Sequence, residues 1–100
     1  ETFTAMAHNL TPNILKVDLS KNKNLKDIHV KILVKRCIKI TDFDLRYCTS
    51  ITNDSVDSIA THLKSLEKLD VSYTKLDSTA LLQFRSVGTV KVLYCKGKEN

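Results

Sequence analysis

Residues 37–63 read CIKITDFDLRYCTSITNDSVDSIATHL, and two periods follow one another inside them. Phe43 and Leu45 alternate with Asp42, Asp44 and Arg46, the spacing of a short strand with one buried face. Val56, Ile59, Ala60 and Leu63 then recur at i, i+3, i+4 and i+7, the buried face of a helix. Thr52, Asn53 and Asp54 supply capping oxygens and negative charge where that helix starts, and His62 and Lys64 bring positive charge to its end. Between strand and helix stand Cys48 and Ile51. One strand–helix pair of this size cannot bury both apolar faces, so it requires neighbours of its own kind.

Those neighbours are present. Ile40-x-x-Phe43-x-Leu45-x-x-Cys48-x-x-Ile51 is preceded, 26 residues earlier, by Ile14-x-x-Val17-x-Leu19-x-x-Asn22-x-x-Leu25. It is followed 26 residues later by Leu66-x-x-Leu69-x-Val71-x-x-Thr74, with Leu76 one position early, and then after a step of 21 by Val87-x-x-Val90-x-Val92-x-x-Cys95. Phe3, Met6, Ala7 and Leu10 carry the helix pattern in the first residues of the chain. Self-similarity at this period predicts an α/β solenoid of about 3.5 repeats of ~26 residues, with parallel strands on the concave face and helices on the convex face. The expected organisation is one domain over 1–100: a partial repeat 1–13, repeats 14–39, 40–65 and 66–86, and a terminal strand unit 87–100. Strands are expected near 16–20, 42–46, 68–72 and 89–93, and helices over 2–10, 26–36, 53–63 and 78–85.

Stacking the repeats places Asn22, Cys48, Thr74 and Cys95 in one corner slot after the strand. Asn, Cys and Thr each satisfy backbone groups at a turn, whereas a nucleophile or metal ligand does not exchange in this way, so the corner cysteines are assigned to packing.

The run Cys37-x-x-Ile40-x-x-Phe43-x-Leu45-x-x-Cys48-x-x-Ile51-Thr52-Asn53-x-x-Val56-x-x-Ile59-Ala60 resembles the cysteine-containing leucine-rich repeat, the type found in F-box/leucine-rich-repeat proteins. The likeness covers about residues 2–95 and departs from the pattern at Leu63, at Leu76 and in the last unit. It implies protein recognition, with substrate recognition for an F-box type ubiquitin ligase as its leading form. A stand-alone scaffold or assembly factor is the alternative, and no F-box lies in these residues.

Composition sets further bounds. The chain is 42% apolar and 27% charged, with two glycines and one proline, enough for one core. No window approaches the ~18 apolar residues of a membrane span. There is no leader pattern, and three cysteines cannot all pair internally, so an intracellular chain, cytoplasmic or nuclear, is expected. The Asn53-Asp54-Ser55 sequon is a weak signal against this. Eight of the sixteen Lys and Arg residues of this +5 chain fall between Lys16 and Lys39. Apolar Ile28, Val30, Ile32, Leu33 and Val34 interleave with them and no aromatic residue does, which favours a solvated helix face over a nucleic-acid site; binding of acidic partners is the lesser alternative. His8, His29 and His62 stand far apart, and neither a Cys-x-x-Cys nor a glycine-rich phosphate loop occurs. No catalytic residue, metal ligand, cofactor or small-molecule substrate is expected.

A protein partner is expected on the outward strand residues. Asp18, Asp44, Asp70 and Lys91 form one column, Ser20, Arg46, Ser72 and Leu93 the next, and Lys21, Tyr47, Tyr73 and Tyr94 the last. The tyrosine ladder offers large amphipathic area of the kind enriched at interfaces, or else it stacks on itself and fills space. The aspartates repel at strand spacing and favour a cationic neighbour, which Lys16 and Lys68 or a ligand would supply.

Overall fold

The computed structural model describes residues 12–77, 79–86 and 90–97. The helix expected over 2–10 lies outside them. Four strands alternate with helices: β1 Lys16–Asp18, α1 Asp27–Arg36, β2 Asp42–Asp44, α2 Asn53–His62, β3 Lys68–Asp70, a 3-10 helix Ala80–Ser86, and β4 Val92–Tyr94. The strands form one parallel sheet in sequence order.

Each of β1, β2 and β3 is short, for a reason visible in its last residue. Asp18 Oδ1 accepts the Ser20 N–H (2.9 Å), Asp44 Oδ1 the Arg46 N–H (3.0 Å) and Asp70 Oδ1 the Ser72 N–H (3.0 Å). The side chain thus holds the chain in a turn of the kind aspartate favours. Just beyond that turn, the backbone passes through the left-handed region at Lys21 (φ 66), Tyr47 (φ 62), Tyr73 (φ 59) and Gly97 (φ 80). Strand pairing continues beyond the strands as single hydrogen bonds, from Lys21 N–H to Arg46 O, Tyr47 N–H to Ser72 O and Tyr73 N–H to Lys96 O.

The inward residues of the strands, Val17, Phe43 and Leu69, meet Val30, Leu33, Val34, Val56 and Ile59 of the helices in one core. Leu45, Ile40, Cys37 and Cys48 are fully buried in it. The helix layer has its own cross-links. Asp27 accepts from the Thr52 N–H (2.8 Å), the Thr52 hydroxyl (2.6 Å) and the buried Ser55 hydroxyl. Burial works against the Asp27 charge, but the Ser55 and Thr52 hydrogen bonds outweigh it and hold the carboxyl below its ordinary value. Asn53, the counterpart of Asp27 one unit later, accepts the Asp77 N–H (3.2 Å), and Gln83 donates to Asp57 (2.9 Å). At the start of α1, His29 Nδ1 accepts the Lys26 N–H (2.9 Å).

The last unit departs from expectation. Val17 pairs with Phe43, Phe43 with Leu69, and Leu69 with Leu93, so two equal register steps are followed by a shorter third. The strand expected at 89–93, with Val90 and Val92 facing inward, instead spans Val92–Tyr94, and Leu93 and Cys95 pack inward with Val90 ahead of them. Both alternatives bury alternating apolar residues; the corner distinguishes them. A Cβ on Gly97 would stand 2.6 Å from Tyr73 Cδ1, so glycine at this rung both accepts a positive φ and admits the Tyr73 ring. The crossover before β4 is shorter than the others, and it carries a 3-10 helix where an α-helix over 78–85 was expected.

Candidate binding face of the sheet

The outer face of the sheet is a grid whose rows the register fixes. The first row reads Lys16, Asp42, Lys68, Val92 and the second Asp18, Asp44, Asp70, Tyr94. The third follows as Ser20, Arg46, Ser72, Lys96, with the Lys96 N–H donating to Ser72 Oγ (3.0 Å), and the fourth as Lys21, Tyr47, Tyr73, Gly97. Of the expected partner-binding residues, Asp18, Lys21, Asp44, Arg46, Tyr47, Asp70 and Tyr73 stand in their expected columns. Lys91 and Tyr94 do not. Lys91 precedes β4, its N–H donating to Glu67 O (2.9 Å), and Tyr94 stands beside Asp70 rather than beneath Tyr73. Leu93 turns into the core, and Cys95 leaves the corner slot for an inward strand position. The cause is the shift of β4 along the chain, whose signal in the sequence is Gly97, one short unit after Tyr73.

The second row explains itself locally and electrostatically. Its aspartates cap their own turns, so they have a structural task before any ligand is considered. Arg46 then neutralises two of them: its Nε and Nη2 meet both Asp44 oxygens at 2.8–3.1 Å, and its Nε lies 3.6 Å from Asp70. The hydrogen bonds to Asp44 hold the guanidinium pKa above its ordinary value. Asp18 has Ser20 where Asp44 has Arg46. The hydrogen bonds from Ser20, helped by the more distant Arg46 and Lys21 charges, keep its carboxyl below the ordinary aspartate value.

Tyr47 and Tyr73 stack face to face, with centroids 4.8 Å apart and planes within 9°. The stack continues onto the Gly97 backbone, so Tyr73 lies between Tyr47 and Gly97 while Tyr47 gives one face to the stack. Tyr47, Tyr73 and Tyr94 nonetheless remain 43%, 43% and 49% exposed, an unusual concentration of aromatic surface. Two shallow grooves meet there. One, of about 340 Å³, crosses the strands from Lys16 and Asp18 to Asp70 and Tyr94. The other, of about 230 Å³, is bounded by Arg46, Tyr47, Tyr73, Tyr94 and Lys96 and shares Asp70 with the first.

Other singled-out residues resolve differently. Cys48 donates its Sγ–H to Leu19 O (3.0 Å), Asn22 Nδ2 donates to the same carbonyl (2.9 Å) and Thr74 Oγ1 to Val71 O (2.7 Å). The corner slot therefore serves backbone carbonyls, and burial pushes the Cys48 and Cys37 thiols up. The basic run divides. Lys16 and Lys21 lie on the sheet, while Lys31, Lys35 and Arg36 form the exposed side of α1 opposite Val30, Leu33 and Val34. In the sequon, the Ser55 side chain is buried on Asp27 and Asn53 Oδ1 caps the next unit. Among the described residues no helix is long and apolar enough to cross a membrane.

No protein-family model matches the chain. Among solved structures, the tropomodulin C-terminal domain of Caenorhabditis elegans, a leucine-rich-repeat-like fold, superposes with a TM-score of 0.67 over 94% of this chain, at 13% identity. The fold is shared. Little of the sequence is, and the chain spans 62% of that domain's length. The likeness establishes a mixed α/β architecture with a parallel four-stranded sheet of leucine-rich-repeat-like type.

Proposed function

We propose that the chain is a stretch of leucine-rich-repeat solenoid that works as a protein-interaction module, receiving its partner on the outer sheet face. The observation that carries this is the exposed Tyr47–Tyr73 stack, which lines the smaller groove with Arg46, Tyr94 and Lys96 and adjoins the larger one at Asp70 and Tyr94. Rigid aromatic side chains present large contact area at little entropic cost, and mixed charge around them sets orientation. The leucine-rich-repeat-like neighbour supports a scaffold for protein interaction in general. We read the chain as non-enzymatic and intracellular, without cofactor. The narrower form, substrate recognition within an F-box type ubiquitin ligase, rests on the cysteine-containing motif of residues 37–60 alone, and a stand-alone assembly factor fits the same face.

The test is affinity capture from cell extract, read by quantitative mass spectrometry. Native chain is run beside a folded Tyr47→Ala/Tyr73→Ala variant and a helix-face Lys31→Ala control. The reading expects proteins retained by the native chain and by the control but lost with the tyrosine variant. Equal retention by all three would remove the sheet face as the binding surface.

A further inference from the structure

The larger groove of the sheet face carries a charge opposite to that of the molecule. The chain is +5 overall, yet the larger groove is lined by Asp18, Asp42, Asp44 and Asp70 against Lys16 and Lys68. One position in that groove already holds a guanidinium. Arg46 fills both oxygens of Asp44, which shows what chemistry this row of carboxylates accepts. The same register position is a serine at Ser20 and Ser72, so Asp18 has no such partner and Asp70 has Arg46 only at 3.6 Å. Asp70 also pairs in register with Tyr94, whose half-exposed ring lies at the mouth of the groove.

Spacing adds a second constraint. Asp18 and Asp70 are two strands apart, about 9.6 Å at the usual separation of neighbouring strands. A polyproline II segment rises about 3.1 Å per residue with three residues per turn, so side chains three apart emerge on one side at about 9.3 Å. A segment crossing the strands in that conformation presents every third side chain to alternate strands.

Resting on the interaction-module reading above, we propose that the occupant of this groove is an extended, arginine-bearing segment of a partner protein, with two arginines three residues apart seated on Asp18 and on Asp70. The first guanidinium repeats on Asp18 the fork that Arg46 makes on Asp44. The second takes the open side of Asp70 and stacks on Tyr94, adding a cation–π contact. Asp44, already closed by Arg46, spaces the two.

The test is an amide NMR titration of the isotope-labelled chain with three blocked peptides: Gly-Arg-Pro-Pro-Arg-Gly, and the same peptide with both arginines replaced by glutamate or by leucine. The proposal expects saturable shifts at amides of β1 to β4 with the arginine peptide alone, weakening as salt rises. Asp18→Asn keeps the oxygen that accepts the Ser20 N–H and removes the charge, and should weaken binding about fivefold, the scale of one exposed ion pair. Arg46→Gln frees Asp44 and Asp70 and should strengthen it by about threefold on the same scale. A purely structural role for these residues predicts neither change. Comparable shifts with the glutamate or leucine peptide would overturn the proposal and leave the interaction-module reading standing. No shift with any peptide would overturn it too, and the capture experiment would then decide that reading by itself.

Discussion

The middle unit, β2 to α2, and the last, the 3-10 helix to β4, are built on the same pattern with different fidelity. The middle unit has a neighbour on each side, a full α-helix and an equal register step to the strands before and after β2. The last takes a shorter step, crosses over through a 3-10 helix, and leaves Leu93 and Cys95 only partly buried. Both units nevertheless bring a left-handed residue to the same rung, Tyr47 in one and Gly97 in the other. Apolar alternation tolerates a slip of the strand; the corner does not. A turn that must adopt positive φ and admit a neighbour's ring is a stronger determinant of register than the choice of which valines face inward.

The widest expected gap between the units is in core truncation. Leu45→Ala, at a fully buried site, should cost about 3–5 kcal/mol in urea denaturation, and Leu93→Ala about half as much, because Leu93 is only partly buried. Equal costs would mean that β4 is as deeply packed as β2.

Asp27 ties α1 to the start of α2, and Asp27→Ala should cost about 2–3 kcal/mol by leaving the buried Ser55 hydroxyl and the Thr52 N–H without their acceptor. Its folded-state pKa lies below the unfolded value, so its contribution is complete above the unfolded pKa and is lost as pH falls through the folded one. The stability difference between the native chain and Asp27→Asn should therefore be flat from neutral pH to about 5 and shrink below about 4. A difference that grows on acidification would reverse the assignment.

Gly97→Ala sharpens the register directly. A Cβ at 2.6 Å from Tyr73 together with φ 80 should cost about 1–2 kcal/mol and move the Tyr73 ring, visible in near-ultraviolet circular dichroism and in aromatic NMR shifts. If the corner of the last unit were at Tyr94, this change would be silent.

The smallest expected effect concerns the thiols. Cys95, half-buried, should react first with a thiol reagent in the native state, with Cys37 and Cys48 protected until unfolding by their burial and raised pKa. Reaction of Cys48 at the rate of Cys95 would contradict the corner packing.

The first three strands and both α-helices were legible because Val17, Phe43 and Leu69 recur at one constant interval and Val56, Ile59, Ala60 and Leu63 keep helical spacing. β4 was not, since Val90, Val92, Leu93 and Cys95 offer two alternations of equal apolarity and the deciding residue has no side chain. In the candidate site, the Tyr47–Tyr73 stack followed from the period alone. The turn-capping task of Asp18, Asp44 and Asp70 did not, because it depends on where each strand stops, and a carboxylate column reads the same whether it faces a ligand or its own backbone. Lys16 and Lys68 were expected to neutralise that column; Arg46 meets Asp44 and reaches toward Asp70 instead, an outcome that depends on strand spacing and rotamer together.

Every strand in this sheet touches only the strands beside it in sequence, and nothing later in the described chain folds back to close the row. Its behaviour under tension follows from that arrangement. The joint between α1 and α2 is pinned by three hydrogen bonds to one carboxylate, whereas at the joint between α2 and the 3-10 helix the Asp77 N–H and Gln83 each make an exposed hydrogen bond to a different acceptor. Stretched from its ends, the protein should part as a ladder loses rungs, in a sawtooth whose last rung is the β1–β2 pair that the Asp27 joint backs, the Tyr47–Tyr73 stack between the β2 and β3 units giving way before it.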